Sequence, residues 1–270
     1  LHAKLVELFD HPPGPGGGWR IDAMRADLLD ALDRLSPRWM GDRRLRELAQ
    51  QLRSCLEPPV IAPPPGLVAE LRPYQLHGLA WLQRLRTLGT GGILADDMGL
   101  GKTVQAIAHL LVEHQRPDTT RASLVVCPAS MVGVWRSELA RFAPSLPVVV
   151  LHGAGRERVS GNERGVLITS YATMTRDIDS FAAAKWQVVI ADEAQAFKNV
   201  GTAVNAAMRR LDAHQRLCLT GTPVENHLGE LHALLGWAAP GVLGQAAVFA
   251  RAFRMPIEDN GDRGRAGEHC

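Results

Sequence analysis

The chain has 270 residues, 46% of them hydrophobic and 21% charged, with a formal net charge of +2. That length and apolar content allow one large domain, or one with a small companion, around a substantial core. A charge so near neutral argues against wrapping a polyanion with the whole surface but leaves room for a local basic groove, and no apolar run reaches the roughly 20 residues of a membrane span.

The chain opens at Leu1 without a signal peptide and reads as a piece whose own N-terminus lies elsewhere. Residues 11–18, HPPGPGGG, form a flexible break. Ile21, Met24, Leu28, Leu32 and Leu35 then recur at helical spacing. Leu45, Leu48, Ala49 and Leu52 suggest a second helix, whose other face carries Arg43, Arg44, Arg46 and Arg53. That basic face reads as solvated, with nucleic-acid contact as the sharper alternative. Pro58-Pro59 and Pro63-Pro64-Pro65-Gly66 make a stiff linker. Residues 1–65 are therefore a small helical appendage, 66–258 the main domain, and 259–270 a polar glycine-rich tail.

Within the main domain, Pro73 suits the first turn of a helix, and Leu79, Leu82, Leu85 and Leu88 give that helix an apolar stripe. Short apolar runs follow at 92–95, 124–127, 148–151, 166–169, 188–191 and 217–219. Helical stretches at 104–114, 131–142, 203–211 and 225–235 separate them. Continuous apolar strands alternating with helices predict an α/β domain with a parallel sheet covered on both faces. Ligands bind such sheets at the carboxyl ends of the strands. Cys127 and Cys218 sit in apolar runs, and none of Cys55, Cys127, Cys218 and Cys270 has C-x-x-C spacing. They read as reduced cysteines of a cytoplasmic protein, with no disulfide frame or zinc site. His109/His114 and His227/His232 stand five apart, which does not put both rings of a pair on one helix face.

The stretch GGILADDMGLGKT, residues 91–103, has the layout of a phosphate-binding loop: strand, glycine turn, Lys-Thr pair, helix. Glycines let backbone N–H groups close round a phosphate, and the helix N-terminus adds its positive dipole end. Lys102 supplies a point charge for the β- and γ-phosphates, and Thr103 a hydroxyl for Mg²⁺. Asp96 stands where the strict pattern has its first glycine. The run Val188 to Ala191 ends in Asp192-Glu193. A nucleotide hydrolase needs one carboxylate for Mg²⁺ and one to deprotonate the attacking water; by position these are Asp192 and Glu193. Leu219-Thr220-Gly221-Thr222-Pro223 places two hydroxyls after another strand, within reach of the acidic pair. Gln75 carries a donor and an acceptor side by side, the pattern that pairs with adenine N6 and N7; on chemistry alone it also reads as a solvated helix residue.

The ordered set LRPYQLHGLAWL, DDMGLGKT, LVVCPASMVGVWRSEL, VLITSY, DEAQAFKN and LTGTPVENHLGEL closely resembles the motor of Swi/Snf-type ATPases, DNA-translocating members of helicase superfamily two. The likeness runs from residue 71 to about 257, and the composition and appendage are most similar to bacterial members. In that family an acidic residue is usual at position 96, so the resemblance makes Asp96 a family marker. It implies a RecA-like lobe that uses ATP and Mg²⁺. Arg72 and Gln75 would contact adenine, and Gly99, Leu100, Gly101, Lys102 and Thr103 would hold phosphate and metal. Asp192 would meet the metal, Glu193 would act as base beside Lys102, and Gln195, Thr220 and Thr222 would couple hydrolysis to movement. Pro128, Ala129, Ser130, Thr169, Ser170 and Tyr171 would lie along a nucleic-acid strand. Trp135, with Leu139 and Phe142 at helical spacing, reads as core, with base stacking as the alternative.

The implied partners are double-stranded DNA, a protein–nucleic acid complex as remodelling target, and a second RecA-like lobe in the same polypeptide, but no membrane. The protein would be cytoplasmic: nucleoid-associated if bacterial, nuclear if eukaryotic. Motifs of the second lobe, with its arginines for the γ-phosphate, do not follow residue 257. Arginine fingers contribute roughly 10³–10⁵ in rate, on the order of 4–7 kcal/mol, so these residues alone are expected to hydrolyse ATP poorly. An RNA helicase lobe of the same superfamily and a non-catalytic interaction module are the competing readings.

Overall fold

A computed structural model describes residues 61–153, 159, 163–224, 228–243 and 249. The two helices and basic face expected before residue 55, Cys55, Cys270, His227 and the tail lie outside the described residues. A helix α1 (Pro73–Thr87) precedes β1 (Gly92–Leu94), α2 (Lys102–Gln115) and β2 (Ser123–Cys127). A 3₁₀ turn at Ala129–Met131 leads into α3 (Val132–Phe142), followed by β3 (Val148–Leu151) and β4 (Val166–Ser170). Then come α4 (Tyr171–Arg176), α5 (Ile178–Ala183), β5 (Lys185–Asp192), a 3₁₀ turn at Ala194–Phe197, α6 (Ala203–Arg210), β6 (Asp212–Leu219) and α7 (Leu228–Ala238).

The strands form one six-stranded sheet in the order β1-β6-β5-β2-β4-β3, and every pairing is parallel. Alternation along each strand feeds two cores. On one face Val125, Ile168, Val188, Ile190 and Leu217 pack with Leu82 of α1, Ile107 and Leu110 of α2, and Trp135 and Leu139 of α3. On the other, Leu124, Leu167, Val189 and Cys218 pack with Met174, Phe181, Met208 and Trp237 of α4 to α7. Because both faces are covered, the strands read in sequence as continuous apolar runs. Cys127 and Cys218 are buried free thiols, and burial pushes the Cys127 thiol up to about 12.

All six expected runs are strands, but β2 starts one residue before its apolar segment and two others start three or more residues before theirs. β5 begins at Lys185 and β6 at Asp212. The opening of β6, Asp212 to Arg216, is polar because Asp212 and His214 are exposed; Gln215 is buried for a different reason, given below. The short helices α4 and α5 carry too few turns for a periodic signal. Ser170 caps α4, its hydroxyl accepting from the Thr173 N–H at 3.2 Å.

Helices α1 and α2 run side by side in matched register. Gln75 meets the glycine turn that starts α2, Gln83 meets His109, and Arg86 meets Glu113. Gln105, His109 and Glu113 are all fully buried, and their spacing of four puts them on one stripe facing α1. His109 Nε2 donates to Gln215 Oε1 at 2.7 Å and Nδ1 accepts from Gln83 Nε2 at 2.8 Å, which sets the ring as the neutral Nε2–H tautomer. Burial lowers the His109 pKa to about 4. Glu113 accepts from Arg86, Arg116 and Gln187, each at 2.9 Å, so its buried charge is fully paired. His114 Nε2 lies 3.0 Å from the Ser123 hydroxyl. These polar partners, with Leu82 O accepting from Gln215 Nε2, bind α1, α2, β5 and β6 into one unit.

Candidate active site

The strand register brings the chemistry to one sheet edge. Leu94 of β1 aligns with Leu219 of β6, and Leu219 with Asp192 of β5. The loops that follow these three strands carry the glycine turn, Glu193 and Thr220–Thr222. Cys127 and Ser170 align at the ends of β2 and β4, where Pro128 and Tyr171 follow.

The glycine turn is built as the sequence requires. Gly99 has φ +84° and Gly101 φ +77°, left-handed values that glycine adopts without Cβ strain. Gly101 also lies against Gln75: a Cβ there would sit 2.5 Å from Gln75 Nε2. Gln75 is buried rather than solvated. Its Oε1 accepts from the Arg72 N–H at 2.9 Å and its Nε2 donates to Leu100 O at 3.0 Å, while the Tyr74 hydroxyl reaches the same carbonyl. An amide has two donors and two acceptor lone pairs, so Gln75 keeps one of each after holding the turn. A cleft of about 500 Å³, lined by Arg72, Tyr74, Gln75, Gly99, Val68 and Phe142, opens beside it. Lys102 Nζ donates to the carbonyls of Asp96 and Asp97, at 2.6 and 3.1 Å.

Asp96 has a structural partner that composition did not reveal. Its Oδ2 accepts from Gln105 Nε2 at 2.8 Å. The Gln105 side chain crosses directly over Gly78 of α1, where a Cβ would lie 1.9 Å from Gln105 Oε1. Gly78, Gln105 and Asp96 therefore form one contact set that fixes the start of the loop.

Asp192 ends β5 on the face of Val188 and Ile190, 7% exposed. Its Oδ1 accepts from the Glu193 N–H at 3.0 Å and its Oδ2 from the indole N–H of Trp135 at 2.8 Å. Burial pushes the Asp192 carboxyl up; the Trp135 bond pulls it back and the neighbouring Glu193 charge adds to the rise. Glu193 has φ +49°, the one positive value at a non-glycine among the described residues. Such strain persists only where surroundings impose it, and it clusters at functional sites. Gln195 Nε2 donates to Glu193 Oε2 at 2.7 Å, and the Thr220 hydroxyl donates to Gln195 Oε1 at 2.9 Å. Thr220 Oγ1 also accepts from the Thr222 N–H at 3.0 Å. The loop after β6 is thus wired to Glu193 through a single side chain. Lys198, at the end of the same 3₁₀ segment, pairs with Glu230 of α7 at 3.0 Å.

The six residues read as lying along a nucleic-acid strand divide into two groups. Ala129 and Ser130 are exposed and Pro128 half-buried, on the 3₁₀ turn before α3. Thr169, Ser170 and Tyr171 are buried, and their hydroxyls are engaged inside the domain. Thr169 donates to Leu151 O, Ser170 to Thr173 Oγ1, and Tyr171 to the Asp192 carbonyl, at 2.8, 3.0 and 2.8 Å. In this structure all three hydroxyls are satisfied inside the domain, at the junction of β4 and α4. Trp135 is core, fully buried, yet its indole serves Asp192.

The donor set suits a hard divalent cation. Asp192 and Glu193 are adjacent carboxylates with Lys102 as the nearby cation acting on Asp192, and Thr103 offers a hydroxyl at the start of α2. Mg²⁺ takes one or two protein oxygens and completes its shell with phosphate and water. Among the described residues, no helix is long and apolar enough to cross a membrane.

The family profile described as SNF2-related domain matches residues 74–267. YwqA of Bacillus subtilis, whose name describes an ATP-dependent helicase/translocase, is 34% identical over 248 residues, 90% of this chain and 27% of that protein. The chromatin-remodelling ATPase INO80 of Cryptococcus neoformans is 37% identical over 214 residues, 74% of this chain and 12% of that protein. Among solved structures, the SWI2/SNF2 ATPase core of Sulfolobus solfataricus in complex with dsDNA superposes with a TM-score of 0.70 at 36% identity. That match covers 78% of this chain and 44% of the solved one. The six-stranded parallel sheet with helices on both faces is the RecA-like architecture of that core. On the profile match and these identities, the chain belongs to the SNF2-related family of ATPase domains.

Proposed function

We propose that the chain is the nucleotide-binding lobe of an ATPase that hydrolyses ATP with Mg²⁺ and couples the reaction to movement on duplex DNA, displacing or remodelling bound protein. The observation that carries this reading is the connected set Glu193–Gln195–Thr220 at the strand ends, beside Asp192 and the Lys102 turn. Arg72 and Gln75 bind the base in the adjoining cleft. The glycine turn and Lys102 hold the phosphates. Asp192 and Thr103 would hold Mg²⁺, which would supply charge neutralisation on the phosphates when bound. Glu193 takes the proton of the attacking water, and Gln195 relates its position to Thr220. The exposed turn Pro128–Ser130 meets the DNA backbone, with Ser130 and turn N–H groups as donors to phosphate. A location in the cytoplasm, nucleoid or nucleus follows from a DNA substrate.

The similar Sulfolobus core was solved with double-stranded DNA bound, which supports the choice of duplex DNA over RNA. This chain covers 44% of that core and 27% of YwqA. On these grounds the 270 residues alone turn ATP over poorly, and the longer protein carries the activity. ATPase assays of both forms, with duplex DNA and with RNA, test the reading. DNA stimulation of the longer protein, abolished by Lys102→Ala, is expected. Stimulation by RNA alone would transfer the chain to RNA helicases, and indifference to Lys102→Ala would leave a non-catalytic module.

A further inference from the structure

Trp135 is fully buried in α3, and its indole N–H donates to Asp192 Oδ2 at 2.8 Å. A buried indole needs an acceptor, and the other tryptophans whose bonds are described find theirs on backbone: Trp186 on Phe181 O and Trp237 on Met208 O. Trp135 instead bonds the carboxylate at the end of β5. The second oxygen of that carboxylate is held by the Glu193 N–H at 3.0 Å. A carboxylate has about four lone-pair sites. One donor on each oxygen fixes its rotation and leaves a lone pair on each for another ligand. Trp135 has no further polar group, so its contribution is this single N–H together with the ring that seats it against the core.

We propose that Trp135 is a positioning residue for metal binding: its indole N–H sets the Asp192 carboxylate in the orientation that receives Mg²⁺. The proposal rests on the Mg²⁺·nucleotide reading above. Partners that orient a metal ligand from outside the coordination sphere typically alter affinity by 10–100-fold. Trp135→Phe keeps the ring and removes the donor, whereas Leu139→Ala disturbs the same buried face of α3 without touching Asp192.

The test is a titration of the chain with ADP carrying a methylanthraniloyl fluorophore, in Mg²⁺ and in EDTA. Wild type binds more tightly in Mg²⁺. Trp135→Phe is expected to lose roughly tenfold of that gain while its affinity in EDTA is unchanged. Leu139→Ala keeps the gain, and Trp135→Phe has no further effect when added to Asp192→Asn. A full Mg²⁺ gain in Trp135→Phe overturns the proposal, as does an equal loss in Leu139→Ala or in the Asp192→Asn background. A wild-type chain without any Mg²⁺ gain sinks the metal reading itself, and the proposal with it. Should Trp135→Phe not fold, Mn²⁺·ADP added to ¹⁵N-labelled wild type decides. Selective broadening of one indole N–H signal supports the proposal, and uniform sharpness of all of them overturns it.

Discussion

Gln195 and Glu193 are joined by a 2.7 Å hydrogen bond between side chains two residues apart, with Glu193 in a left-handed conformation. The other end of the Gln195 amide takes the Thr220 hydroxyl. If Glu193 is the base, as proposed, replacing it by Gln lowers ATP turnover of a protein carrying both lobes by about 10²–10⁴, the usual worth of a general base, with ADP affinity retained. Gln195→Ala leaves the base chemically intact but untethered, so a smaller loss of roughly tenfold is expected, again with ADP affinity retained. Steady-state ATPase rates together with ADP titrations check both; a Gln195→Ala loss confined to ADP affinity would contradict the arrangement.

Two glycines of the turn separate backbone conformation from contact. Gly99 and Gly101 both have positive φ, but a Cβ on Gly99 meets no atom within 4 Å, while one on Gly101 meets Gln75 Nε2. Against the protein itself, Gly99→Ala should therefore cost only the left-handed strain, about 1–2 kcal/mol of stability. Gly101→Ala must also push Gln75 off Leu100 O, and is expected to weaken ADP binding by more than about tenfold, or 1.4 kcal/mol. Titration with the fluorescent ADP ranks them, and equal effects would refute the role given to Gln75.

Gly78 and Gln105 offer a coupling test. Gly78→Ala sets a methyl 1.9 Å from Gln105 Oε1, an overpacking expected to cost about 1–3 kcal/mol. Gln105→Ala removes the obstacle and also the support for Asp96. In the double variant the cost of Gly78→Ala should largely vanish, an interaction energy within the roughly 0.5–3 kcal/mol seen for residues in contact. Urea unfolding of the three variants measures it, and additive costs would show that the side chain can move aside freely.

His109 makes stability depend on pH. Burial, the dominant cause, lowers its pKa from 6.5 to about 4, while Glu113 opposes and Arg116 and Arg86 assist. Folded His109 stays neutral where the unfolded chain already binds the proton. Stability is therefore full above pH 6.5 and declines as the pH falls towards 4, by up to about 3 kcal/mol from this group. Glu113, whose pKa is lowered, adds a loss in the same direction at more acid pH, and Asp192, whose pKa is raised, works against it. Comparing His109→Gln with wild type isolates the histidine: denaturation midpoints between about pH 4 and 7 should vary less in the variant.

The glycine turn, the acidic pair and the sheet were legible because each depends on local pattern. Gly99 and Gly101 supply a conformation, and Asp192 follows an apolar run, so neighbours in sequence suffice. Trp135 was legible as core and not as a partner of Asp192, because 57 residues separate them and no local signal reports a bond between a helix and a distant strand end. The internal partners of Thr169 and Ser170 were not legible, because hydroxyls at a strand end serve capping and ligand binding equally well. One overlooked signal was present: Gln105, His109 and Glu113 recur every four residues in the otherwise apolar stretch Val104 to Glu113. A polar stripe on a buried helix announces a polar partner, here Gly78's helix with Gln83 and Arg86.

That stripe has a mechanical consequence. The two helices are riveted at their far ends by Gln83–His109 and Arg86–Glu113, while their near ends carry Arg72 and Gln75 on one and Lys102 and Thr103 on the other. Joined in this way, the pair behaves as a caliper with a locked hinge. On the proposed function, the gap between the residues for the base and those for the phosphate is preset by contacts far from either, so that a nucleotide would be measured against it rather than wrapped by it.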